Sequence, residues 1–204
     1  MVASPRGADG ADFPALHGLS QGYRAAEPAA RPPRAPRPLR DTLAFLLAFG
    51  ALHAAWTWAR GSALERWVID DCTVRTGAWL VKLSWPQAGA QAAGSRIAAP
   101  GGGINILSGC EGTEVLFLLW AALLAFPMPA ARRALGMVLA TGLVFGLNQA
   151  RILVLFHALR ADRASFDLLH GLIAPVVMIA LSGLFFMLWI APAQATPRAP
   201  APRP

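Results

Sequence analysis

Charge is scarce in this sequence, and most of it has one sign. Of 204 residues only 14% are charged, where a soluble domain carries about a quarter. Apolar residues make up 55%, and the mean hydropathy is +0.46. The deficit falls in long apolar runs, so an ordinary soluble domain is excluded in favour of a membrane-inserted chain, and the length allows one domain. Of the 18 basic residues, all but Lys82 are arginine, and the net charge is +7. Cysteine occurs twice, as Cys72 and Cys110, too few for a disulfide framework; a single bridge between them in an oxidising compartment stays open. A compact signal peptide is missing, because residues 1–38 are polar and proline-rich. The first apolar run, from about Leu39, is therefore expected to remain as a signal anchor. There is no internal repeat and no metal-ligand cluster, since Cys110 and His170 alone make a weak case; neither metal nor cofactor is expected.

The ends are dominated by Ala, Pro and Arg. Residues 1–38 and 192–204 hold too little apolar surface to offset their ordering entropy, so both are expected to be disordered tails. The stretch Arg31-Pro-Pro-Arg-Ala-Pro-Arg-Pro-Leu-Arg40 is a basic arm of the kind that binds nucleic acid. Beside an apolar segment, its role is instead to hold the cytoplasmic face against anionic lipid. Membrane lipid is thus an expected partner and nucleic acid is not.

Four membrane spans are expected in residues 39–191, at about 39–59, 111–126, 134–159 and 167–190. The first ends in Trp56 and Trp58, which suit an interface. Residues 67–85 are amphipathic but carry Asp70, Asp71, Arg75 and Lys82. Each charge at mid-bilayer costs roughly 2.5–3.5 kcal/mol, so this segment is expected to lie in the interface. After Pro86, the Gly/Ala-rich run with Gly101-Gly102-Gly103 is read as an extracytoplasmic loop or short hairpin. The fold class expected is therefore all-α and integral to the membrane: a bundle of about four spans, one interfacial helix and one loop. Gly136, Gly142, Gly146, Gly171 and Gly183 would allow close helix approach. Arg31, Arg34, Arg37 and Arg40, with Arg132 and Arg133, place their ends in the cytoplasm by the positive-inside rule. Arginines in the opposing loops make that bias moderate.

Polar residues then stand out against the apolar spans. Cys110 is at the entrance to the second span. Arg151 lies about eight residues before the end of the third, roughly 12 Å deep at 1.5 Å per residue. His170 is in the first turn of the fourth. With short connections the three face the same side, and the long Arg151 side chain can reach back toward the interface. Each has an ordinary explanation as well: Cys110 as packing, Arg151 in an ion pair with Glu114 or Asp167, His170 as an interfacial residue. His157 and His53 are rival histidines. Asp167 either answers the helix dipole or orients His170.

Together the three make a kit for acyl transfer. A free thiol has a pKa of about 8.5 and needs a neighbouring imidazole or cation to become a nucleophile. His170 can take the thiol proton and return it to a leaving amine. Arg151 stays charged and offers several donors to a developing oxyanion. Asn148, three residues before Arg151 on the same face, is expected to hold the guanidinium or the substrate backbone, or else to hydrogen-bond another helix. Glu111 and Glu114 are expected as structural or pairing partners.

The stretches Ile106-Leu-Ser-Gly-Cys-Glu-Gly-Thr-Glu114, Asn148-Gln-Ala-Arg-Ile152 and Leu169-His-Gly171 resemble the exosortase/archaeosortase family, over roughly residues 40–190. The family's cysteine, arginine and histidine map onto Cys110, Arg151 and His170. About four clear spans, against roughly eight in longer members, make this a compact form. The resemblance implies a cysteine peptidase or transpeptidase in the cell inner membrane, with its site on the extracytoplasmic side. Its partners would be secreted proteins ending in a motif, a membrane helix and a basic tail. Two other classes remain open: a non-catalytic envelope or polysaccharide-export assembly factor, and a transporter-like bundle.

Overall fold

The computed structural model describes residues 38–194, with side chains through residue 191. The expected disordered tails lie outside the described residues, apart from their inner ends, Pro38 and residues 192–194, which are helical. Helix α1 runs Pro38–Trp58, opening on a proline, whose fixed φ suits a first helical position, with Asp41 in its first turn. A turn with Gly61 at φ 76° leads to α2, Ala63–Ser84, whose axis is bent 98° from that of α1. Ser62 caps α2 by accepting from the amides of Leu64 and Glu65 at 3.2 and 3.4 Å. Within α2 the stretch Trp67–Val74 is π-helical, and Thr73 Oγ1 donates to Val68 O, five residues back, at 2.8 Å. Its buried residues, Ile69, Thr73, Val74, Gly77, Ala78 and Val81, recur at helical spacing, while Trp67, Trp79 and Leu83 are exposed.

Where a loop or short hairpin was expected, the chain builds a three-stranded antiparallel sheet. Strands β1 (Gln91–Ala93), β2 (Arg96–Ala98) and β3 (Ile104–Asn105) follow in the order β1-β2-β3. Ile97 and Ile104 are directly opposite and buried, so an apolar contact anchors the sheet to the helices despite its short strands.

Helix α3 is Thr113–Ala125, 13 residues and so roughly 20 Å long, short of a hydrocarbon core of about 30 Å. Helix α4 is Ala130–Ala161. Helix α5 is assembled from Arg163–Leu168, a π turn at Leu169–Ile173, and Ala174–Gln194. Asp162 caps α5 by accepting from the Ser165 amide at 2.9 Å, and its hydrogen bonds to Ser165 hold its carboxyl below the usual carboxylate range. By length and composition, α4 and α5 are each able to cross a membrane, and α1 with α2 would make a third crossing if that bent pair is one span. Only 17% of the most apolar α5 window is buried within the protein, so most of that apolar surface is left for a lipid environment.

Two apolar cores divide the protein along α4. One joins Leu119 and Leu123 of α3, Ala140 and Val144 of α4, and Met178 of α5. The other joins Val74 and Val81 of α2, Ile97 and Ile104 of the sheet, and Ile152 and Phe156 of α4. At the α3–α4 turn, Arg133 donates to the carbonyls of Leu123, Phe126 and Met128 at 3.2–3.4 Å, which answers the unpaired carbonyls of the α3 terminus.

Candidate functional site

Cys110 sits in the turn between β3 and α3, where its amide donates to Leu107 O at 2.8 Å. Both cysteines are free and half-buried. Two carboxylates hold this turn. The buried Glu111 accepts from Thr113 Oγ1 at 2.8 Å, from Trp56 Nε1 at 3.1 Å and from the Gly109 amide. Glu65 accepts from Ser108 Oγ at 3.1 Å and, through its other oxygen, from the Gly61 amide at 2.6 Å. The cysteine turn is thereby tied to α1 through Glu111 and to the start of α2 through Glu65. Gly112, at φ 85°, ends it against Asn148, whose Cγ lies 3.3 Å from where a Cβ would stand; a side chain there would meet both backbone strain and crowding.

Arg151 comes from α4 and is half-buried. Its Nε is buried with no hydrogen-bond partner among the described residues. The two ion pairs among the described residues are Arg75–Asp71 at 2.9 Å and Arg163–Asp167 at 3.6 Å, and Arg151 belongs to neither. Glu114 is exposed on the first turn of α3. Neither proposed ion-pair partner of Arg151 is therefore bonded to it. His170 lies in the π turn of α5, half-buried, its ring stacked on Phe166 at 5.4 Å and 5°. Its Nδ1 is buried without a partner among the described residues. Asp167 is exposed and on Arg163, so it does not orient that ring; Phe166, four residues earlier, does.

Cys110, Arg151 and His170 wall one pocket of about 30 Å³, together with Ile104, Asn105 and Ile106 of the β3 segment and Phe166 of α5. A thiol, an imidazole and a guanidinium that carries no anion among the described residues thus line one small space with room for water. That set suits nucleophilic attack on a carbonyl, proton shuttling, and stabilisation of an oxyanion. Arg151 and Leu155 also line a second, apolar groove of about 220 Å³ between α4 and α5.

Asn148 is one turn from Arg151 but not on the pocket wall. It is 1% exposed, and neither its Oδ1 nor its Nδ2 has a hydrogen-bond partner among the described residues; it backs the cysteine turn through Gly112. Of the rival histidines, His157 stacks on Trp85 at 5.4 Å and lies 3.4 Å from Ser84 Oγ. His53 stacks on Phe49 at 6.1 Å. Neither lines the pocket. Among the described residues no group of three or more His, Cys, Asp or Glu side chains is placed to hold a metal.

Sequence reasoning missed the β3 wall, Glu65 and the Trp56–Glu111 contact. The alternation Ile104-Asn105-Ile106 was a local signal for a strand, whereas nothing near Glu111 points to a donor 55 positions away. In comparisons with known proteins, no family model matches the chain, and no curated protein or solved structure matches it significantly.

Proposed function

We propose that this chain is an exosortase-like cysteine peptidase or transpeptidase of the membrane. The observation that carries the proposal is the common pocket of Cys110, Arg151 and His170, in which no acid among the described residues neutralises Arg151. His170 takes the Cys110 proton, and the thiolate attacks the scissile carbonyl to form a tetrahedral oxyanion beside Arg151. Collapse breaks the C–N bond, His170 gives its proton to the departing amine, and an acyl-thioester remains. Water or an amine, deprotonated by His170, then releases the acyl group and restores the thiol.

In this reading α1, α3, α4 and α5 form the four-span bundle, with α3 crossing by means of its flanking turns and α2 lying in the interface. Arg132 and Arg133 mark the cytoplasmic end, so the pocket at the opposite end of α4 opens outside the inner membrane. The substrate class is a secreted protein ending in a motif, an apolar helix and a basic tail, cleaved at the motif. The test is co-expression with such a protein encoded beside this chain, following loss of its tail by immunoblot. Tail loss that requires Cys110, with a hydroxylamine-sensitive adduct on Cys110, supports the proposal; tail loss that survives Cys110→Ala rejects it.

A further inference from the structure

The wall of the cysteine pocket opposite the helices is a strand, and its hydrogen-bonding pattern gives it a further use. In an antiparallel ladder, facing residues alternate between pairs that exchange both main-chain bonds and pairs that exchange none. The register sets Asn105 opposite Arg96 and Ile104 opposite Ile97. One step further, the Ile106 amide donates to Ser95 O at 2.8 Å. Ser95 and Ile106 are therefore a bonded pair, as are Ile97 and Ile104 two steps away. Arg96 and Asn105 are the pair that exchanges none, so the N–H and C=O of Asn105 point away from β2. Nothing in the sheet lies on that side, because β3 ends the order β1-β2-β3. Among the described residues, the Asn105 main chain makes no hydrogen bond outside the sheet.

We infer that this edge is a peptide-docking rail: an extended substrate segment pairs with the outward N–H and C=O of Asn105 as a fourth strand, which delivers its scissile carbonyl to Cys110. The inference rests on the peptidase reading and adds how the substrate is held. One donor and one acceptor side by side on an extended backbone are complementary to the acceptor and donor of another extended backbone. Ile104, Asn105 and Ile106 line the same pocket as Cys110, Arg151 and His170. Two residues past Asn105 the rail ends, because Leu107 O is taken by the Cys110 amide in the turn that carries the thiol. The edge also lacks the lysine, proline or charged residue that usually blocks strand addition, since Ile104-Asn105-Ile106 is uncharged. Main-chain pairing holds a segment whatever its side chains, and leaves alternate side chains to set specificity.

The experiment uses the full chain in membranes with Cys72→Ala, so that mass spectrometry reads Cys110 alone. The probes are acetyl-tetraalanyl vinyl sulfone, the same peptide methylated at each amide nitrogen in turn, and iodoacetamide, which has no peptide backbone to pair. Methylation of one amide is expected to slow Cys110 labelling about tenfold, the loss of one main-chain hydrogen bond, while methylation of the next amide changes it little. Asn105→Pro, which deletes the outward N–H, is expected to lower the ratio of peptide-probe to iodoacetamide labelling by a similar factor. Labelling indifferent to every methyl position overturns the inference, even if Asn105→Pro slows both reagents through a distorted strand. A disulfide joining position 105 of two copies in an Asn105→Cys variant gives the edge to a second copy and overturns it as well. Failure of the rail leaves tail processing dependent on Cys110; failure of the peptidase reading shows as processing that survives Cys110→Ala.

Discussion

Trp56 Nε1 donates to Glu111 Oε1 at 3.1 Å, so the residue next to the candidate nucleophile is anchored on the first helix. The carboxylate also serves Gly109 and Thr113. Glu111 is therefore a buried acceptor with a donor on each side, and unequal costs follow for its partners. Trp56→Phe removes one donor and is expected to cost about 1–3 kcal/mol. Glu111→Gln turns an amide NH₂ toward a group that is itself a donor, and Glu111→Ala strands three donors; both are expected to cost more than Trp56→Phe. Thermal unfolding of the purified variants gives the order, and Glu111→Ala should also alter the rate at which iodoacetamide reaches Cys110.

The two cysteines separate cleanly. Cys110 lines the pocket, whereas Cys72 lies in the π-helical part of α2 and does not. Cys110→Ala is expected to abolish tail processing while the protein stays inserted at normal abundance. Cys72→Ala is expected to process at the normal rate. Immunoblots of substrate and enzyme from the same cells measure both.

Among the described residues Arg151 has no acid to neutralise, so its loss should fall on the reaction and not on the fold. Arg151→Lys keeps the charge but loses the planar fork; if Arg151 serves the oxyanion, as proposed, cleavage is expected to fall about a hundredfold to a thousandfold. Arg151→Gln combined with Glu114→Gln should insert normally and remain inactive. Recovered cleavage in that double variant would show a charge balance between the two.

Gly136 tests the other core. A Cβ there would stand 2.6 Å from Trp189 Nε1, where Arg132 also packs on the ring at 5.4 Å. Gly136→Ala is expected to lose about 1–3 kcal/mol through overpacking and to lower abundance. Cleavage per molecule should hold, because the pocket belongs to the other end of α4. Gly142→Ala, with nothing within 4 Å, should leave abundance unchanged. Quantified membrane fractions distinguish the two.

Topology is the fifth measurement. A reporter fused after Arg133 should read as cytoplasmic and one within residues 86–100 as extracytoplasmic. The reverse pattern would put the pocket on the cytoplasmic side and overturn the proposal that it acts on secreted substrates.

Much of this protein was legible in its sequence because the signals are local. Apolar runs at α4 and α5 are long enough to specify helices of membrane length without reference to anything else. Short connections force successive helices to alternate direction, and a fixed rise per residue sets depth. The order of Cys110, Arg151 and His170 along the chain therefore already implied one end of the bundle for all three. What tertiary structure decided depends on reach across elements. Whether Arg151 meets Glu114 or Asp167 turns on where α3 and α5 place those side chains, and Asp167 goes to Arg163, four residues away on its own helix. The alternation Ile104-Asn105-Ile106 hints at a strand, but too briefly to hold one; β2 supplies its ladder and the helices bury its isoleucines. Glu111 finds Trp56 across 55 positions because a buried carboxylate needs donors, and no periodicity in a sequence records which helix will provide them.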